Sequence, residues 1–185
     1  SAGKLSGFSD LLYEESGGTI INNLDQKIWS EADLIFCVQT PSEDNLTKLK
    51  KGAVLLGLLN PYGNKELLRI INNNKISALS LELLPRISRA QSSDVLSSQA
   101  NIAGYKAVLL AASELDRYFP MLMTAAGTVQ PAKVVVLGGG VAGLQAVATA
   151  KRLGAIVFVS DIRPAVKEQV ESLGARFIEL PEVDE

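Results

Sequence analysis

Short apolar runs of strand length alternate along this chain with polar segments whose apolar residues recur at helical spacing. Ser9 reads as the cap of a helix over Asp10–Glu15, stopped by Gly17-Gly18 and followed by a strand at Thr19–Ile21. Ala32–Val38 is a continuous apolar run, Pro41–Lys51 a polar amphipathic helix ended at Gly52, and Ala53–Leu59 a second apolar run. A turn at Asn60–Asn64, a helix to Asn73 and a strand over Ile76–Leu84 complete the first alternation. Strands apolar on both faces, separated by helices, predict a parallel sheet covered by helices on each side.

The rhythm breaks at Arg86–Gln99, which is polar and rich in serine, and resumes with a long helix over Asn101–Tyr118. Ala103, Gly104, Ala107, Ala111 and Ala112 give that helix small residues for close packing, and it reads as the connection between two domains. Phe119–Pro131 reads as a loop. Lys133–Leu137 is then a strand, Val141–Leu153 a helix closed by Gly154, and Ala155–Val159 a buried strand. Pro164 suits the first position of a helix over Ala165–Leu173, and Arg176–Leu180 reads as a third strand. The pattern predicts an α/β chain of two parallel-sheet domains, residues 1–125 and 126–185, joined by a long helix. Only the first half of a doubly wound second domain is present, so the chain reads as an internal piece of a longer one.

Gly138, Gly140 and Gly143 stand in the G-x-G-x-x-G spacing between a strand and a helix, and Asp161 closes the next strand 18 positions after the last glycine. This is the dinucleotide fingerprint. The first glycine permits a tight turn, the second lets backbone approach a pyrophosphate, and the third lets the helix pack on its strand. The phosphates would lie at the helix N-terminus, against Gly138, Gly140 and Gly143. Asp161 would accept from the adenosine ribose hydroxyls and repel a 2′-phosphate, which predicts NAD(H) over NADP(H). Arg163, two residues on, could pair with such a phosphate.

Composition narrows the chemistry. The 185 residues are 47% hydrophobic and 21% charged, with a net charge of −2, as in ordinary globular domains, and no run of like charge suggests nucleic acid or lipid. No apolar stretch approaches the ~18 residues of a membrane span, so direct insertion is not expected. The chain has no histidine, which removes the commonest general base and metal ligand, and no metal site is expected. Its single cysteine, Cys37, lies in a strand-like run and reads as a core residue rather than a nucleophile. Within Arg86–Ser98, an Arg–Asp pair between Arg86 or Arg89 and Asp94, beside the Gln91 amide, suits the gripping of a nicotinamide carboxamide and ribose. A solvated connector with a weak surface ion pair fits the same spacing.

Three stretches carry a family likeness: PRISRAQSSDVLSSQANIAGYKAV from Pro85, FPMLMTAAGTVQPAKVVVLGGGVAGLQAVATAKRLGA from Phe119, and DIRPAVKEQVESLGARF from Asp161. They resemble the NAD(H)-binding component, domain I, of proton-translocating NAD(P) transhydrogenases, in the alanine dehydrogenase/transhydrogenase family. The resemblance is near-continuous from Pro85 to Phe177 and looser before it.

The resemblance implies two Rossmann-like domains with NAD(H) between them. It places Arg86, Ile87, Ser88, Gln91, Asp94 and Ser97 around the nicotinamide, as positioning residues for catalysis, with Tyr105 in support. It places Gly138, Gly140, Val141 and Ala142 at the pyrophosphate turn and Asp161, Ile162 and Arg163 at the adenosine ribose. It implies hydride transfer between NADH here and NADP(H) on a partner domain III, coupled to proton movement through a membrane domain II. It also implies a homodimer on the cytoplasmic face of a bacterial inner membrane, or the matrix face in mitochondria. Alanine dehydrogenase shares the plan but needs an acid/base histidine in the loop that here reads LLNPYGN. A module that binds NAD without activity of its own is the other alternative.

Overall fold

A computed structural model describes residues 3–21 and 26–179, which form two compact units, Ser1–Ser93 and Asp94–Glu185. The long helix belongs to the second unit, whereas a division after residue 125 keeps it with the first.

In the first unit, the Ser9 hydroxyl accepts from the Leu12 amide at 3.4 Å and starts α1, Asp10–Glu15. Thr19–Ile21 forms no strand, and a helix, α2 at Gln26–Glu31, precedes the sheet. Then follow β1 (Leu34–Gln39), α3 (Glu43–Thr47), β2 (Val54–Leu58), α4 (Lys65–Asn73) and β3 (Ser77–Ser80). α3 is shorter than its polar pattern predicts. Asn64 caps α4 by accepting from the Leu67 amide at 3.0 Å. β3 stops four residues before the predicted end because the chain folds into a 3₁₀ turn, Leu81–Leu83. There Glu82 turns back to accept from the Leu59 amide at 3.2 Å, the Asn60 amide and the Ser80 hydroxyl.

The polar stretch contains a 3₁₀ turn at Ser88–Ser93 and then α5, Val95–Glu114, which starts six residues earlier than predicted. Asp94 is its cap, accepting from the Ser97 amide at 2.9 Å and the Ser97 hydroxyl at 2.6 Å. The predicted loop after α5 holds a hairpin of β4 (Leu122–Thr124) and β5 (Gly127–Val129). The second unit continues through β6 (Lys133–Leu137), α6 (Val141–Arg152), β7 (Ile156–Ser160), α7 (Val166–Ser172) and β8 (Arg176–Phe177). Pro164 sits two residues before α7 rather than at its first position, its carbonyl accepting from the Lys167 amide at 3.0 Å. Leu180, the predicted end of the last strand, lies outside the described residues.

The sheets run β1-β2-β3 and β6-β7-β8, all parallel. Neither order reverses, and one face of each outer strand, β1 and β6, lies exposed. β1 and β6 alternate, with Phe36 and Val38 at 69% and 75% exposed and Leu137 at 83%, while Leu55, Val157 and Val159 of the central strands are fully buried. One core gathers Leu46, Leu55, Leu59 and Leu67 between sheet and helices, and the other Val147, Val157, Val159 and Val170.

Candidate functional site

β6 delivers the chain into the glycine turn, where Gly138 donates its amide to the Ser160 carbonyl at 2.8 Å. Its φ of +95° lies in the left-handed region, which a side chain disfavours. Three of the four glycines here are demanded by the fold. Gly138 is demanded by that angle. Gly143 is demanded by contact, since a Cβ there would stand 1.8 Å from the Gly138 carbonyl oxygen. Gly139 likewise faces Val166, whose Cγ1 would lie 2.2 Å from an added Cβ.

Gly140 differs. It caps α6 with φ −78° and ψ −168°, angles open to any residue, and a Cβ there would meet no atom of the described residues within 4 Å. The fold leaves that space clear directly in front of a helix N-terminus whose first amides have no intrahelical partner. A phosphate-sized anion needs such a place: free backbone donors, a favourable dipole and no Cβ in the way.

α5 braces this turn. An added Cβ on Gly104 would lie 2.0 Å from the Ala142 carbonyl oxygen, so the two helices meet backbone to backbone at the first turn of α6. Asn101 donates to Gln145 at 3.1 Å one turn away, and Gln145 donates on to Thr149 at 3.2 Å. The row of small residues along α5 signals close packing; that the partner is the glycine turn emerges only from the fold.

At the end of β7, the Asp161 side chain is 4% exposed. Its Oδ2 accepts from the Gly139 amide at 2.7 Å, which ties the acid to the glycine turn. Arg163 supplies the other donors, its own amide at 2.8 Å and Nε at 3.0 Å to Oδ1, and Nη2 at 2.8 Å to Oδ2. The Arg163 guanidinium, followed by the Arg163 and Gly139 amides, holds this carboxyl well below the usual carboxylate range despite some desolvation. Ile162 between them is 86% exposed. Val141 and Ala142 occupy the first turn of α6, so the structure gathers Gly138, Gly140, Val141, Ala142, Gly143, Asp161 and Arg163 at the carboxyl ends of β6 and β7.

Arg86, Ile87, Ser88 and Gln91 are exposed and belong to the first unit. Asp94 and Ser97 are joined to each other at the start of α5 in the second unit, so the Asp94 carboxylate works as a helix cap. Tyr105 is 48% exposed on α5. The Cys37 thiol donates to the Leu56 carbonyl at 3.6 Å, and burial, then the Glu82 charge, push its pKa up, away from the thiolate a nucleophile needs. Glu82 escaped the sequence pattern, where it is one acid in the apolar run Ser80–Leu84; its task is to hold the end of β2 and the loop after it.

A parallel βαβαβ unit with a glycine turn opening its first helix and an acid ending its second strand defines the class of Rossmann-type dinucleotide-binding folds. The particular family is also defined. The family model described as "Alanine dehydrogenase/PNT, N-terminal domain" matches residues 1–103 and the corresponding C-terminal domain model matches residues 107–185, and the chain belongs to this family. It is 50% identical, over 96% of its length, to an NAD(P) transhydrogenase subunit alpha protein of Rhodospirillum rubrum, and covers 47% of that relative. The crystal structure of a transhydrogenase from Sinorhizobium meliloti superposes with a TM-score of 0.89 at 50% identity, over 98% of this chain and 51% of that one. An alanine dehydrogenase from Staphylococcus saprophyticus is more distant, 28% identical over 94% of this chain and 46% of its own. The chain thus spans about half the length of the curated relatives it matches. Among the described residues, no helix is long and apolar enough to cross a membrane.

Proposed function

We propose that this chain is the NAD(H)-binding part of an NAD(P) transhydrogenase. The observation that carries the reading is Gly140: the fold makes no demand for glycine there, while a dinucleotide's pyrophosphate does. The α6 N-terminus binds the phosphates, and Asp161 takes the adenosine ribose and disfavours a 2′-phosphate. Arg86, Ile87, Ser88, Gln91 and Ser97 position the nicotinamide end, with Asp94 fixing Ser97.

NAD(H), when bound, supplies or receives the hydride. The chain's own residues orient the ring and exclude water, which is catalysis by proximity, and no acid or base is required of them. A chain without histidine is suited to that task and unsuited to amino-acid oxidation, which moves protons at the substrate nitrogen. The acceptor is NADP⁺ on a partner domain, the coupled proton crosses through a separate membrane domain, and the NAD(H) component works as a homodimer at the membrane surface, on the cytoplasmic or matrix side.

Fluorescence titration with NADH tests the site. Gly140→Ala should weaken binding about tenfold or more while leaving the melting temperature within about 2 °C of the parent, because its methyl group meets ligand and not protein. Unchanged affinity would place the pyrophosphate elsewhere.

A further inference from the structure

Asp161 is already full. A carboxylate offers about four acceptor positions. Here two are taken by the backbone amides of Gly139 and Arg163, at 2.7 and 2.8 Å, and two by the guanidinium of Arg163, at 3.0 and 2.8 Å. The two kinds of donor differ in what holds them. The amides are fixed by the glycine turn and the backbone after β7. The guanidinium is on a flexible stem with the Arg163 side chain 59% exposed, against 4% for the acid it covers.

Its fork also presents two parallel N–H donors to the two oxygens, the number and spacing that a vicinal diol presents with two O–H donors. We propose that Arg163 is a latch that fills the diol-binding positions of Asp161 and must swing out before the ribose of a dinucleotide can enter. This rests on the dinucleotide reading above and adds to it a competitor built into the chain.

The latch has two consequences. Without ligand, it keeps a nearly buried carboxylate paired and correctly turned, so the site stays formed. With ligand, two hydrogen bonds from the diol replace two from the guanidinium, and the affinity of the chain is lowered by whatever the outgoing ion pair was worth. Arg163 then acts as a brake on binding. As a cofactor contact it would do the opposite.

Adenosine is the decisive probe because it carries the ribose diol and no phosphate, so losing a cation does not change long-range attraction for it. The full chain, Arg163→Ala and Arg163→Lys would each be titrated with adenosine, 2′-deoxyadenosine and NADH, following the Gly139 amide by ¹H–¹⁵N NMR. Arg163→Ala should bind adenosine about threefold to tenfold more tightly than the parent, the range expected on removing a charge-assisted pair near the surface. Arg163→Lys, which keeps the charge but not the fork, should fall between them.

The gain should vanish with 2′-deoxyadenosine, which lacks one of the two hydroxyls. Equal or weaker adenosine binding by Arg163→Ala, with NADH still bound by the parent, would overturn the latch and leave the dinucleotide reading standing. No binding of adenosine or NADH to any of the three would overturn both. Binding by the variants alone would support the latch in its strongest form. If Arg163→Ala fails to fold, Arg163→Lys carries the same comparison.

Discussion

Gly139, Gly140 and Gly143 look alike in the sequence and stand under different constraints in the molecule. Packing fixes two of them, and open space in front of a helix N-terminus surrounds the third. Asp161 is held from two sides, one backbone amide tying it to the glycine turn and the Arg163 guanidinium covering its outer face. Asp161→Asn should relax the preference for NADH over NADPH by removing the charge that repels a 2′-phosphate; an unchanged ratio of the two affinities would show that this acid does not face the ribose. Because Arg163 and two amides hold the native carboxyl below its ordinary value of 3.8, the group stays ionised as the pH falls toward that value. The stabilisation is complete above the unfolded-state pKa and is lost only as the pH drops through the lower folded one. At this scale the sequence was informative about the turn: the spacing predicts a tight turn at Gly138 and close packing at Gly143, and the structure has both. It was silent on the Arg163 clasp, because whether residues two apart meet depends on a loop conformation that no periodicity encodes.

At the scale of elements, α5 is the brace of the dinucleotide turn. Gly104→Ala would drive a methyl group into the Ala142 carbonyl at 2.0 Å, where the obstacle is backbone and cannot rotate away. The helices must part, at a cost of about 1–3 kcal/mol, so the melting temperature should fall by several degrees and NADH affinity with it. Retention of both would mean that α5 does not brace the turn. In the first unit, Glu82 is desolvated, yet its hydrogen bonds from Ser80, Asn60 and Leu59 prevail and lower its pKa. Its contribution is therefore complete above the unfolded-state pKa and is lost as the pH falls through the lower folded one. Glu82→Gln should cost about 1–2 kcal/mol at pH 7, and the difference between the two proteins in denaturant melts should shrink as the pH is taken down through the acid range, below the unfolded-state value. A difference that persists at low pH would assign the loss to packing instead.

Most of the element order was legible from apolar periodicity, but α2, the β4–β5 hairpin and several boundaries were not. The start of α5 is hidden because Asp94, Ser97 and Ser98 read as loop residues, although Asp94 is the cap and Ser97 its partner.

For the whole molecule, the balance lies between what one glycine turn can do and what a transhydrogenase requires. The sequence holds one G-x-G-x-x-G element, and hydride exchange between two dinucleotides needs two sites. The chain matches about half of its relatives' length. The measurement that tests this account most directly is a pair of fluorescence titrations of the 185-residue chain, one with NADH and one with NADPH. Saturable binding of NADH, at least about tenfold tighter than NADPH, is the predicted result. Equal binding of the two, or no binding of NADH by the folded chain, would contradict it.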